Sequence, residues 1–337
     1  MTGEELRALR EGRKMGQCEL ASWLNATLGR KYDRNRVSRW ENATENIPQL
    51  VAATLQSAFG GCRGGIPAAK SGPATVVVLV NQKGGVGKTT STVNLAYLLA
   101  KAGRRTLVVD CDPQANATIH LGVDPHSREM ARRTISQVLF NDVPVRDVVL
   151  PVCEDLFSLL PSSISLANAD AELLKEPNGT LLLREKIEEI RSEFDFILID
   201  CPPNLGQLTV SALNAADQVL IPAQTEMLSI MGIPMLMETL SKVRRRVNPK
   251  ITVLGLLPTL FNPRRVQDQA IISELDTIAR NARIRVFSPV KDVADYAKGV
   301  MAGRPALALS PSASGSASYG EVVQALLAPT QETADVA

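Results

Sequence analysis

Cysteine is sparse and unpatterned in this chain. The five present (Cys18, Cys62, Cys111, Cys153 and Cys201) form an odd, scattered set with no Cys-x-x-Cys pair. Zinc, iron–sulfur and disulfide readings all fail on that spacing, and reduced, buried thiols are the expected state. Long apolar runs are also lacking: none approaches the ~18 residues that spanning a bilayer needs. No charged-then-apolar segment follows Met1, so no secretory signal is expected. No internal repeat is visible. What remains, 337 residues of which 45% are hydrophobic, suffices for a sizeable core in a cytosolic globular protein. That length allows two domains, or one with an appendage.

Net charge is only +2, but it is unevenly spread. Residues 1–70 carry +4, residues 71–239 carry −7, residues 240–304 carry +8, and residues 305–337 carry −3. Two basic regions therefore flank an acidic middle. Clustered positive charge favours a polyanion, because it neutralises phosphates and releases counterions.

The most informative stretch runs from Val76 to Thr90. An apolar run, Val76 to Val80, reads as a buried parallel strand. It leads into Lys83-Gly84-Gly85-Val86-Gly87-Lys88-Thr89-Thr90, and an amphipathic helix is expected over Ser91–Ala102. Strand, glycine-rich loop and helix in that order are the setting a phosphate-binding loop requires. The glycines permit turns that a Cβ would block, so several N–H groups converge on phosphate oxygens where the helix dipole also favours negative charge. Lys88 is expected to reach the β- and γ-phosphates of ATP, and the Thr89 hydroxyl to sit on Mg²⁺. The second lysine, Lys83, is not needed by an ordinary loop of this kind; a solvated charge is its plain reading.

Two further strand ends carry carboxylates. Thr106–Val109 ends in Asp110-Cys111-Asp112-Pro113-Gln114-Ala115-Asn116-Ala117-Thr118, and Phe194–Ile199 ends in Asp200-Cys201-Pro202-Pro203. The C-terminal ends of parallel strands face the crevice where ligands bind in open α/β sheets. Asp200 is thus placed to hold a Mg²⁺-bound water, and Asp112 to orient the water that attacks the γ-phosphate. Such chemistry is mostly positioning and charge stabilisation, so no His or Cys nucleophile is required.

The succession KGGVGKTT, DCDPQANAT and FILIDCPP resembles the ParA family of partition and positioning ATPases, over roughly Thr75 to Leu307. The resemblance gives Lys83 a role: it is the signature lysine of a deviant Walker A loop, reaching across a dimer interface to the partner's nucleotide. It further implies an ATP-dependent homodimer, weak hydrolysis and non-specific DNA binding by the ATP form, hence nucleoid association. It also implies a ParB-like or cargo-adaptor protein that stimulates hydrolysis. Ile221–Leu236 resembles the family's strand and long helix after the Walker B acid, and Leu254–Arg265 the strand and loop beside the adenine. The match fades over Val286–Gly299, where an Arg-containing loop is usual and Lys291 is the nearest counterpart. Iron–sulfur relatives are excluded by the cysteines, and tyrosine-kinase relatives by a total of four tyrosines. Pro311–Ser318 is Ser/Ala/Gly-rich, Tyr319–Leu327 reads as a short helix, and Thr330–Ala337 is acidic. That ending does not fit the basic membrane-surface helix of MinD-like members.

The first basic region, residues 1–59, reads as a small all-α domain. Leu6 and Leu9 beside Arg7, Arg10 and Arg13 suggest a first helix, Gln17–Leu24 a second, and Arg36–Asn42 a third, with Ile47–Leu50 opening a fourth. This resembles a Cro/repressor-like helix-turn-helix with an enlarged turn over Asn25–Asp33. In such motifs the N-terminal residues of the second helix of the pair reach base edges in the major groove. Gln17, Lys31, Arg34, Arg36, Ser38 and Arg39 are then candidate DNA contacts; a helical bundle used for dimerisation is the other reading. Residues 60–73 form a Gly/Pro/Ser-rich flexible linker.

The second basic region includes Lys242, Arg244, Arg245, Arg246 and Lys250, near the end of a helix expected from Met227 to about Val247. Basic residues also suit a helix C-terminus for purely structural reasons. With Arg264, Arg265, Arg280, Arg283 and Arg285 they look like a patch that tracks a nucleic-acid backbone. The Met227, Met231, Met235 and Met237 set reads as core or dimer packing. The expected fold is a doubly wound, mainly parallel α/β sheet over residues 74–310, preceded by the helical domain and followed by residues 311–337. The expected function is a DNA-partitioning ATPase that also represses its own operon. The alternatives are a positioner of a protein cargo and an ATP-switched transcription regulator.

Overall fold

The computed structural model describes residues 3–12, 15–28, 32–42, 44–45, 47–48, 51, 55, 72–291, 295–310 and 315–328. Lys31, the stretch 60–71 of the expected linker and the acidic tail lie outside them. The chain divides into two compact units, Met1–Ile66 and Pro67–Ala337.

In the first unit, α1 (Gly3–Gly12), α2 (Gln17–Leu28) and α3 (Arg34–Glu41) pack around Leu6, Leu20, Leu24, Val37 and Trp40, all at most 1% exposed. Helix α2 runs four residues beyond the expected Leu24. The interval before α3 is correspondingly shorter. Asp33 starts α3 by accepting a 2.8 Å hydrogen bond from the Arg36 amide, which satisfies one of the free N–H groups of a first turn. Glu41 is fully buried at the other end of α3. Arg10 Nε donates to it at 2.6 Å and Gln17 Nε2 at 2.8 Å. Burial pushes the Glu41 carboxyl up, but those hydrogen bonds and the guanidinium charges outweigh it and hold the carboxyl below its usual range.

The second unit is built on a seven-stranded sheet in the order β3-β4-β2-β5-β1-β6-β7. These strands are β1 (Thr75–Leu79), β2 (Thr106–Asp110), β3 (Leu150–Val152), β4 (Phe157–Leu160), β5 (Phe196–Asp200), β6 (Gln218–Gln224) and β7 (Thr252–Thr259). All neighbours run parallel except β3, which is antiparallel to β4 on the edge. The central strands are apolar along their length because helices cover both faces. Val76 and Val78 join one core cluster with Ile197 and Ile199, while Val77 and Leu79 join the opposite one with Phe196 and Leu198.

Chain order sets the crevice. From β1 the chain crosses over to β2, and β5 later inserts between them, whereas β6 adds on the far side of β1. This reversal beside β1 is a topological switch point, where open α/β sheets bind ligands at the carboxyl ends of their strands. Register brings Asp110 of β2 directly beside Asp200 of β5.

One long helix expected after β6 is two. Met227–Met231 and Ile233–Arg246 are separate helices joined at Gly232, and Pro234 occupies the first turn of the second. Pro234 has no N–H to continue the ladder. A Cβ on Gly232 would lie 3.4 Å from Gln82 Oε1, so the break lets the chain pass close to the loop after β1. Among the described residues, no helix is long and apolar enough to cross a membrane.

Candidate nucleotide-binding site

The loop after β1 turns through Gly84 to Gly87 into helix α4 (Lys88–Lys101). Gly85 (φ +74) and Gly87 (φ +79) are left-handed, a conformation open to glycine at no steric cost. A Cβ on Gly85 would meet nothing within 4 Å, so the loop surrounds open space. Helix α4 begins three residues earlier than expected, directly at Lys88, which puts its free amides at the loop. Val86 O accepts a 2.8 Å hydrogen bond from Thr259 Oγ1, which ties the loop to the end of β7.

Lys88 is 7% exposed, and its Nζ donates at 3.2 Å to each of two backbone carbonyls, those of Asn81 and Lys83. Burial lowers its pKa, against the opposing charge of Asp200. Thr89 Oγ1 donates to Asp200 Oδ2 at 2.6 Å, and Thr92 Oγ1 to Asp200 Oδ1 at 3.2 Å. Asp200 is fully buried; burial first, then the charge of Asp110, pushes its carboxyl up to about 8. Asp110 is also buried and is raised to about 6, mainly by burial, although Thr118 and the Asp112 amide donate to it. Asp112 is 5% exposed and caps its own loop by accepting from the Gln114 amide at 2.9 Å.

Lys88, Thr89, Thr90, Asp112 and the loop glycines line one cleft of about 450 Å³. Asp200 lies just behind it, on the Thr89 hydroxyl. Lys83 sits apart: its Nζ pairs with Glu226 Oε2 at 2.5 Å and Gln224 Oε1 at 3.2 Å, at the end of β6. Asn81 braces the loop start by accepting from the Lys83 amide and donating to Pro222 O. The sequence reading missed Asn81, Glu226 and the cleft-lining His120. Glu226 lies 143 residues from Lys83, so no local spacing announces the pair.

Glycine turn, helix terminus and lysine suit the phosphates of a nucleotide. Magnesium keeps several waters and uses only one or two protein carboxylates with phosphate oxygens. The Thr89 hydroxyl beside the Asp200 carboxylate is a donor set of that kind. The residues present therefore fit ATP and Mg²⁺.

The other basic residues are distributed as follows. On α3, Arg34, Asn35 and Arg39 are exposed and Ser38 half-buried, while Arg36 and Arg39 both pair with Glu45, at 3.0 and 3.4 Å. Gln17 faces Glu41 instead. Arg244, Arg245 and Arg246 are exposed in the last turn of Ile233–Arg246, and Lys242 pairs with Glu238 at 2.6 Å. Met227, Met231 and Met235 are 57–66% exposed, so a core role for these three is corrected; only Met237 is partly buried against the core. Lys291 forms an isolated bridge to Phe261.

These features define a class, the P-loop nucleotide hydrolases with a parallel sheet. The chain belongs to the ParA/MinD-like family of P-loop ATPases, since the family model described as an AAA domain matches residues 74–253. It is 38% identical to the chromosome partitioning protein ParA of Myxococcus xanthus (strain DK1622) over 214 residues, 64% of this chain and 75% of that one. It is 32% identical to the sporulation initiation inhibitor protein Soj of Bacillus subtilis (strain 168) over 253 residues, 75% of this chain and 98% of that one. Among solved structures, cobyrinic acid a,c-diamide synthase from Mycobacterium smegmatis with a bound ATP analog and magnesium is similar at 34% identity and a TM-score of 0.66. That match covers 75% of this chain and 94% of the other.

Proposed function

We propose that this chain is an ATP-hydrolysing partition protein that binds DNA and works as an ATP-dependent dimer. The carrying observation is the Lys88 loop at the switch point, with the Thr89 hydroxyl on Asp200 and Asp112 across the same cleft. The named relatives ParA and Soj add support for a chromosome-related role.

In this reading the amides of Gly84–Thr89 and the Lys88 amine hold the ATP phosphates. To do so, Lys88 gives up the two carbonyls it now contacts. Thr89 and Asp200 hold Mg²⁺, which when bound neutralises charge developing on the phosphate oxygens. Asp112 orients the attacking water. Lys83, as the deviant Walker A lysine, leaves Glu226 to reach the nucleotide of a second copy. A ParB-like partner stimulates turnover. The basic residues of Ile233–Arg246 track arbitrary duplex DNA, while α3 recognises an operator.

Replacing Lys88 and Asp112 separately tests the chemistry. Lys88→Ala is expected to abolish ATP binding, and Asp112→Ala to keep binding while phosphate release stops. Nucleotide affinity and phosphate release on both variants decide it. Equal loss of binding in the two would refute the role of Asp112.

A further inference from the structure

One polar side chain in the cleft wall has no part in holding phosphate or magnesium. His120 ends the short helix Asn116–His120 and lines the cleft together with Thr90, Ile119, Leu260 and Val300. It is 2% exposed, and its Nε2 is buried with no hydrogen-bond partner. A buried polar atom left unpaired is destabilising, and native structures rarely tolerate one without a reason. Burial alone pushes the imidazole down to about 4. The ring is therefore neutral near pH 7, with one N–H to give and one lone pair to receive.

The neighbours narrow what it meets. Along this wall the chain runs from Asp112 through Gln114 and Asn116 to His120. The carboxylate is at one end of that run and His120 at the other. Around His120 the lining is apolar: Ile119 is 46% exposed and Val300 42% exposed, two aliphatic side chains left open where the cleft is. Leu260 is held at φ +53, a backbone conformation that is costly for a residue with a Cβ. Apolar walls and a neutral imidazole offer little to a phosphate. They suit the sugar and base half of a nucleotide, whose faces are apolar and whose hydroxyls both give and receive hydrogen bonds.

We propose that His120 is a specificity-determining residue of the nucleotide site, hydrogen-bonding a ribose hydroxyl of the bound nucleoside triphosphate. The inference rests on the reading of the Lys88 loop as a nucleotide site and adds the group that selects a ribonucleotide. On binding, the His120 ring turns its Nε2, buried in the free protein, into the cleft, where the ribose hydroxyl becomes its partner. The unpaired atom thus destabilises the free protein and contributes affinity to the complex.

The test uses the full-length protein and its His120→Phe and His120→Gln variants. Each is titrated with ATP, 2′-deoxyATP and 3′-deoxyATP in magnesium buffer by calorimetry, and each is melted without nucleotide. Wild type is expected to bind one deoxy analogue about tenfold more weakly than ATP, the worth of one hydrogen bond. His120→Phe should bind ATP about tenfold more weakly than wild type and lose that discrimination, while melting at or above wild type without nucleotide. His120→Gln should recover part of the discrimination. A merely structural histidine would instead lower the melting temperature on replacement and leave the ratio of affinities unchanged, which would overturn the inference. Equal loss for all three nucleotides would also overturn it, by placing the contact off the ribose. Should His120→Phe not fold, equal binding of all three nucleotides by wild type still refutes it. No ATP binding by wild type, or undiminished binding by Lys88→Ala, would instead refute the underlying nucleotide-site reading.

Discussion

Asp200 shows how a single residue couples the site to stability. Its carboxyl is raised to about 8 in the folded chain, from its ordinary value of 3.8. The folded protein therefore keeps a proton that the unfolded chain releases, and stability falls as pH rises between those two values, on the order of 1 kcal/mol per pH unit. Asp110, raised to about 6, adds the same sign over a narrower window. Asp200→Asn cannot ionise, so without nucleotide it should be more stable than wild type, and the gap should widen from pH 5 to pH 8. Magnesium and ATP should stabilise wild type but not this variant. Denaturant midpoints at both pH values check it; a gap that stays constant contradicts it. Lys88, Thr89, Asp112 and Asp200 were legible in the sequence because each sits at a fixed offset from an apolar strand. His120 and Glu226 were not, because burial without a partner and pairing across 143 residues leave no local trace.

At the scale of elements, β1, β2 and β5 follow directly from apolar runs ending at a glycine-rich loop or a carboxylate, with ends within two residues. The P-loop helix starts three residues early, and β3 and β4, short and on one side of the sheet, were not read from the sequence. The helix after β6 was misread because its apolar spacing continues across Gly232, and only Pro234 signals the break. Helix α3 divides its two faces clearly: Val37, Trp40 and Glu41 point inward, while Arg34, Asn35, Arg39 and Asn42 stay exposed. Glu41 is the inward exception to hydrophobic packing, held by Arg10, Gln17 and, at 3.7 Å, Arg7. Removing one partner of a buried pair strands the other, at a cost of about 3–5 kcal/mol. Glu41→Ala should therefore melt the N-terminal unit early. Both tryptophans, Trp23 and Trp40, lie in that unit, so their fluorescence reports it selectively. Because the Glu41 carboxyl is lowered from its ordinary value of 4.5, the stability it contributes is present above that pH and lost as pH falls further. An unchanged fluorescence midpoint in the variant would show that the pair is dispensable.

At the scale of the whole molecule, the proposed nucleotide-driven dimer and the two basic regions make separate predictions. In the single chain Lys83 is tied to Glu226 in a partly exposed pair worth about 1 kcal/mol, so releasing it toward a second copy costs little. A Cβ on Gly84 would meet only Pro203 Cβ at 3.8 Å within its own chain. Gly84→Val should thus fold normally yet stay monomeric by light scattering with ATP and magnesium, where wild type dimerises. A wild-type dimer that forms equally well without nucleotide would contradict the sandwich arrangement.

The two basic regions should separate by the kind of contact each makes. Contacts to phosphate give salt-sensitive affinity blind to sequence, whereas contacts to base edges discriminate by ~1–3 kcal/mol per good bidentate pair. The outward residues of α3 are short polar and Arg side chains, Arg34, Asn35, Ser38 and Arg39, suited to base edges. Arg244, Arg245 and Arg246 are three adjacent exposed cations at a helix end, suited to a backbone. A chain starting near Ser71 is therefore expected to keep ATP-dependent binding to arbitrary duplex DNA and to lose preference for a promoter site near its own gene. Changing Arg244, Arg245 and Arg246 to Glu in the full-length chain should do the reverse, weakening arbitrary binding while sparing the specific site. Affinity for operator and random duplex at two salt concentrations, with and without ATP, separates the cases. If deleting residues 1–70 leaves the operator-to-random ratio unchanged, the N-terminal unit does not read DNA, and its helices serve as a docking or dimerisation module.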